Sequence, residues 1–124
     1  MIHNQPMDQQ HLREVHRDDD GELCGYVRTT STGFQALTVF HGVLDTFADE
    51  NDAIESVCAH ALASLKERWN FRESSTHEWQ TVLIQEARPG WARLTLGYYA
   101  IAGVPTLDVA FRDDAAAEIT LRIP

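Results

Sequence analysis

Apolar residues recur at steps of three and four through residues 49–70, which is the spacing of one face of an α-helix. The stripe contains Ile54, Val57, Cys58, Ala61, Leu62, Leu65 and Trp69, and the opposite face carries Glu55, Ser56, His60, Ala63 and Glu67. Acidic residues precede the stripe and basic residues follow it, as the helix dipole favours. The pattern predicts one long amphipathic helix that buries a single face, with Cys58 in the core.

Alternating apolar and polar residues predict strands on both sides of this helix. The predicted strands are 23–29, 34–41 and 43–47 before the helix, and 79–86, 91–101, 107–111 and 119–123 after it. Turn residues separate them, and Gly42 is expected to take a positive φ between the second and third. The last four strands are predicted to form a meander.

The expected fold is therefore α+β, with a mainly antiparallel sheet of about six to seven strands in β-β-β-α-β-β-β-β order. One long amphipathic helix packs across this sheet. Residues 1–20 contain few apolar side chains and no sustained period, so they are predicted to form a mobile N-terminal arm. Residues 21–124 are predicted to form a single domain.

Charge and cysteine content narrow the class of protein. The net charge is −9, and residues 1–64 contain eleven acidic and three basic residues, which makes nucleic acid an unfavourable partner. Two cysteines and no apolar run of membrane-spanning length or signal-peptide pattern favour a cytoplasmic protein without a membrane partner. Nine arginines against one lysine are consistent with a bacterial source.

Local motifs for catalysis or cofactor binding are not found in the sequence. The glycines are scattered rather than grouped in a phosphate-binding loop. Cys58 and His60 would point about 200° apart on a helix, so they cannot form a nucleophile–base pair. Acidic residues at 45, 49, 50 and 52 could bind a cation, but they lack the alternating ligands and fixed Gly of a calcium loop, and a helix start explains them more simply. We therefore predict no catalytic residue, no metal and no cofactor, and favour a protein that is not an enzyme.

One group of basic and aromatic residues is a candidate binding surface, because Trp and Arg are enriched at binding hot spots. Its members are Lys66, Arg68, Trp69, Arg72, Arg88, Trp91 and Arg93. The alternative is that the tryptophans cap the core and the arginines form ordinary surface ion pairs.

Three functions fit this sequence. The first is a non-enzymatic protein-interaction module that acts as a homodimer, since the edges of an antiparallel sheet need to be covered. The second is a small-molecule or anion binding protein with a pocket lined by Trp69, Tyr98, Tyr99 and the arginines. The third is an acidic inhibitor of a basic partner, such as an immunity-type protein, which requires an ordered stripe of acidic residues.

Overall fold

The computed structural model describes residues 12–96, 105–111 and 116–121, which form one curled sheet with an α-helix packed on it. The predicted α+β class is confirmed. The strands are β1 (Leu12–His16), β2 (Leu23–Thr30), β3 (Gly33–Thr38), β4 (Val43–Phe47), β5 (Arg68–Arg72), β6 (Gln80–Arg88), β7 (Trp91–Leu96), β8 (Thr106–Ala110) and β9 (Glu118–Thr120). The helix is α1 (Glu50–His60), and a short 3₁₀ turn spans Ala63–Lys66.

The strands lie in the order β1-β2-β3-β4-β9-β5-β6-β7-β8, so the described residues contribute nine strands to the sheet, whereas six to seven were predicted. All neighbours are antiparallel except β4 and β9, which run parallel. The predicted meander holds for β6, β7 and β8, but β9 lies between β4 and β5. Alternation in the sequence identifies strands without specifying their partners, which is why this insertion was not predicted.

Helix α1 ends at His60, well before the predicted end at residue 70. The chain then forms the 3₁₀ turn and enters β5, where Trp69 and Phe71 are buried. Trp69 continues the helical spacing of Leu62 and Leu65 and also begins the alternation of a strand, so the pattern alone does not distinguish the two. The strand prevails because it places both aromatic rings of β5 on the core side of the sheet.

The start of α1 agrees with the prediction. The Asp49 side chain caps the helix by accepting a hydrogen bond from the Asn51 backbone N–H at 2.9 Å. The buried stripe is narrower than predicted, because Val57 and its neighbours at steps of four are buried whereas Cys58 is exposed. Successive helical residues are about 100° apart, so Cys58 lies beyond the edge of the stripe.

Gly25 of β2 sets how closely α1 approaches the sheet. A Cβ atom at this position would lie 2.1 Å from the Leu37 carbonyl oxygen and 3.0 Å from Val57 Cγ1. Only glycine leaves room for both the neighbouring strand and the helix. The helix is therefore fixed close to β2 and β3, and its flank faces β4.

Strand β1 lies within residues 1–20, the segment predicted to be a mobile arm; residues 1–11 of that segment lie outside the described residues. It pairs antiparallel with β2, and Val15 is buried in the core. Arg13 forms an ion pair with Glu50 of α1 at 3.3 Å. One buried side chain leaves no apolar period in the sequence, so the strand could not be detected by patterning.

Aromatic rings fill the core beside β5. Phe40, in the turn between β3 and β4, contacts Trp69 and Phe111 with ring-centroid distances of 5.2 and 6.2 Å. In the same turn, His41 rather than Gly42 has a positive φ, of 72°. Gly42 is needed for a different reason, since a Cβ there would lie 2.5 Å from the Phe40 ring and 2.8 Å from the Trp69 ring.

Helices of membrane-spanning length and apolarity are absent from residues 12–96, 105–111 and 116–121. Tyr98 and Tyr99, the predicted turn at 113–114 and the predicted strand end at 122–123 lie outside these described residues.

Candidate functional site

The basic and aromatic residues proposed from the sequence do not form one surface. Lys66 and Arg68 are exposed near the 3₁₀ turn, whereas Arg88 lies at the far end of β6. Arg72 lies beyond the opposite end of β6, because Phe71 pairs with Gln80. At about 3.3 Å per residue, Arg72 and Arg88 are roughly 30 Å apart along the sheet.

Trp69 belongs to the core rather than to a binding surface. Its side chain is fully buried, at 0% exposure. The indole Nε1–H donates a hydrogen bond to the Ser64 carbonyl oxygen at 3.0 Å, which satisfies its only polar group. This contact ties β5 to the 3₁₀ turn.

Three of the candidate residues do meet, at the turn between β6 and β7. The guanidinium groups of Arg88 and Arg93 lie 4.7 and 5.5 Å from the centroid of the Trp91 ring. Arg88 donates two hydrogen bonds to Glu86, and Arg93 binds Asp108 of β8 through two nitrogens. We call these five residues the arginine–tryptophan cluster.

The charges of the arginine–tryptophan cluster are balanced internally. Arg93 also lies 3.4 Å from Glu86, so the two guanidinium groups share two carboxylates. The hydrogen bonds from Arg93 lower the pKa of Asp108 below its ordinary value. Because each arginine already has carboxylate partners, an anionic ligand would have to displace them.

Arg72, outside this cluster, also has partners within the fold. It lies 3.1 Å from Glu118 and 4.3 Å from the centroid of the Trp79 ring.

A second surface, which we call the acidic groove, runs between α1 and β4. It encloses a volume of about 600 Å³. Its lining consists of Leu44, Asp45, Phe47, Asp52, Glu55, Ser56, Ala59, His60, Ala63, Ser64, Glu67 and Leu121. Among the described residues, this lining includes four carboxylates and no lysine or arginine. Leu44 is buried and Phe47 and Leu121 are partly buried, so the groove also has apolar side chains.

One wall of the acidic groove follows the axis of α1. The wall residues between 52 and 67 recur at steps of three and four, which keeps them on one flank of the helix and the 3₁₀ turn. Glu55 and Asp52 lie at one end and Glu67 at the other, with Ala59 and Ala63 between them. This wall therefore has acidic side chains at both ends and small side chains in the middle.

The groove carboxylates are not neutralised within the part of the chain that the structure describes. No lysine or arginine there forms an ion pair with Asp45, Asp52, Glu55 or Glu67. Asp45 accepts a hydrogen bond from the Thr46 backbone N–H at 2.8 Å, which leaves its charge in place. Four like charges around one groove create a negative potential that attracts cationic groups.

These carboxylates are spread along the groove rather than gathered around one point. Among residues 12–96, 105–111 and 116–121, no group of three or more His, Cys, Asp or Glu side chains is arranged to hold a metal ion. Carboxylates spread in this way attract positive charge along the length of the groove rather than at a single point.

Two of the groove carboxylates, Asp45 and Asp52, belong to an acidic group that the sequence analysis assigned to the start of a helix. The acidic residues at 45, 49, 50 and 52 were ascribed to a helix start, and this is correct for Asp49, which caps α1. Glu50 instead pairs with Arg13, and Asp45 and Asp52 line the groove. The available signal was the recurrence of acidic and small residues at 52, 55, 59, 63 and 67 on one helix flank.

Comparison of the chain with protein-family models, with curated proteins and with solved structures finds no match.

Proposed function

We propose that this chain is a non-enzymatic protein-interaction module that binds a basic segment of a partner protein in the acidic groove. The observation that supports this most strongly is a groove of about 600 Å³ that combines apolar side chains with four carboxylates, none of which pairs with a lysine or arginine among residues 12–96, 105–111 and 116–121. Such a surface offers charge complementarity to a cationic segment and apolar area to bury.

The negative charge of the groove favours a cationic partner over an anionic one. A cationic partner is attracted over a distance of roughly 8 Å at physiological ionic strength, and its association is faster for that reason. An anion is repelled by the same groove, which argues against anion binding there. An acidic inhibitor of a basic partner would use this same surface, so that interpretation of the sequence becomes a special case of the proposal.

The test is the binding of a fluorescein-labelled peptide rich in Lys and Leu, measured by fluorescence anisotropy. The variant Glu55→Lys/Glu67→Lys reverses two groove charges, and Glu73→Lys/Glu78→Lys makes the same change in net charge outside the groove lining. We expect the groove variant to bind at least about tenfold more weakly and the control to stay within about twofold, since rim charges far from a ligand act mainly at long range. Absence of binding to the unmodified chain, or equal weakening in both variants, would overturn the proposal.

Homodimerisation is the second part of the proposal, and it rests on the two ends of the sheet. Strands β1 and β8 are the outer members of the described strand order. Light scattering on a size-exclusion column should give twice the chain mass of 14.0 kDa. A mass of 14.0 kDa would remove the dimer and leave the groove proposal unaffected.

A further inference from the structure

The shape of the acidic groove restricts the conformation of the bound segment. Its wall spans sixteen residues, or fifteen residue steps, from Asp52 to Glu67 along α1 and the 3₁₀ turn. At 1.5 Å per residue this corresponds to about 22 Å, or about four helical turns. A volume of about 600 Å³ holds a row of side chains along that length, because a whole helix is about 10 Å wide.

The middle of this wall permits close approach by another helix. Ala59 and Ala63 are both exposed and lie one turn apart, with Ser56 one turn before them. Helix axes pack 8–10 Å apart according to the size of the side chains at the contact, so small residues allow the shorter separation. Ser56, Ala59 and Ala63 all line the groove, so close approach by another helix is sterically possible between α1 and β4.

We infer that the acidic groove binds an amphipathic helix of a partner protein, about four turns long, with basic residues towards both ends and small or apolar residues in the middle. This inference rests on the proposed function and specifies the form of its partner. The basic ends face Asp52 and Glu55 on one side and Glu67 on the other. The central apolar residues pack against Ala59, Ala63 and Leu44, as in helix-in-groove recognition.

The probe that tests this is a pair of peptides of about 16 residues with the same Lys, Leu and Ala composition. One is stapled as a helix, with Lys near both ends. The other has the same order of residues but central D-amino acids, which prevent a continuous right-handed helix. We expect the helical peptide to bind about tenfold more tightly, because its ordering entropy is already lost before binding.

Two matched variants test the position of the helix. Ala59→Phe puts a bulky ring in the middle of the groove, whereas Cys58→Phe puts the same ring on the other flank of α1, outside the lining. Both positions are exposed, and circular dichroism with thermal melting checks that both variants fold. We expect Ala59→Phe to weaken binding of the helical peptide about tenfold and Cys58→Phe to change it less than about twofold.

The possible results separate this inference from the proposed function. If both peptides bind equally well and Glu55→Lys/Glu67→Lys abolishes that binding, the inference of a helical partner is wrong. The proposal that the groove binds a basic segment would still stand. Tighter binding of the helical peptide without an effect of Ala59→Phe would overturn its placement along the wall. If neither peptide binds, the proposed function itself is wrong.

Discussion

The acidic groove and the arginine–tryptophan cluster are both charged surfaces, but they differ in how their charges are balanced. In the cluster, Arg88 and Arg93 are held by Glu86 and Asp108 and lie against Trp91. In the groove, four carboxylates have no lysine or arginine as a partner within the described residues. In the cluster, the ion pairs of Arg93 connect β7 to β6 and β8. In the groove, the carboxylates remain available to pair with another molecule.

The difference shows why residue type alone is a weak guide to a binding surface. Trp and Arg are enriched at hot spots, but the same side chains are also the ones that stack and pair within a fold. In this chain the arginines selected from the sequence are occupied internally where their contacts are described. Unbalanced charge beside apolar surface is the more informative property, and it depends on the tertiary structure.

The largest expected effect separates the two tryptophans that sequence reasoning had grouped together. Trp69→Ala should lower the free energy of unfolding by about 3–5 kcal/mol, because it removes a buried ring from contact with Phe40. Trp91→Ala should cost only about 1 kcal/mol, since it removes cation–π contacts at a partly exposed site. Urea unfolding of both variants measures the difference. Equal losses would contradict the assignment of Trp69 to the core and Trp91 to the surface.

The position of the groove wall depends on the contact between α1 and the sheet. Gly25→Ala should destabilise the fold by about 1–3 kcal/mol, because its Cβ would collide with the Leu37 carbonyl oxygen and press on Val57. Thr29→Ala, at an exposed position of the same strand, is the matched control. Denaturant midpoints of the two variants provide the comparison, and a Gly25→Ala protein as stable as the control would show that α1 has room to move.

The ion pair between Arg17 and Asp20, which lies outside the groove, should make the free energy of unfolding depend on pH in the acidic range. Hydrogen bonds from Arg17 lower the pKa of Asp20 from 3.8 to about 2. A depressed pKa stabilises the folded state above pH 3.8, and this contribution is lost as the pH falls from 3.8 towards 2. The difference in urea midpoint between the unmodified chain and Asp20→Asn should therefore be constant above about pH 5 and shrink towards pH 2. A difference that grows on acidification would show the opposite linkage.

The smallest effect is expected in the groove itself. Neutralising its carboxylates with Glu55→Gln or Glu67→Gln should change the free energy of unfolding by less than about 0.5 kcal/mol, because no ion pair within the described residues is broken. Relief of like-charge repulsion would make any change a gain. A clear loss of stability in thermal melts of either variant would mean that these carboxylates stabilise the fold, as the paired charges of the cluster do.

Much of the fold could be predicted because its signals are local. The alternation at 34–38 and the turn residues around Gly90 identify β3, β6 and β7 without tertiary information. The missed elements depend on distant contacts. Strand β5 became visible only once the burial of Phe71 was known, and β1 has a single buried residue, Val15.

The candidate site was less predictable than the fold, for the same physical reason. The groove requires α1 to end at His60 and β4 to lie beside its flank. Neither condition is a property of a local pattern. The sequence does contain the recurrence of acidic and small residues along α1, but an exposed helix face has the same composition in many proteins.

The insertion of β9 between β4 and β5 has a consequence for how the chain folds. Its two flanking contacts, from Thr120 to Val43 and from Asn70 to Leu121, close loops of 77 and 51 residues. The hairpin of β2 and β3 and the meander of β6 to β8 can form from neighbouring residues, but the sheet becomes continuous only when this late strand arrives. Because non-local pairing is reached slowly, we expect docking of β9 to limit the folding rate. The acidic groove, which includes Leu121, would be completed in that same step.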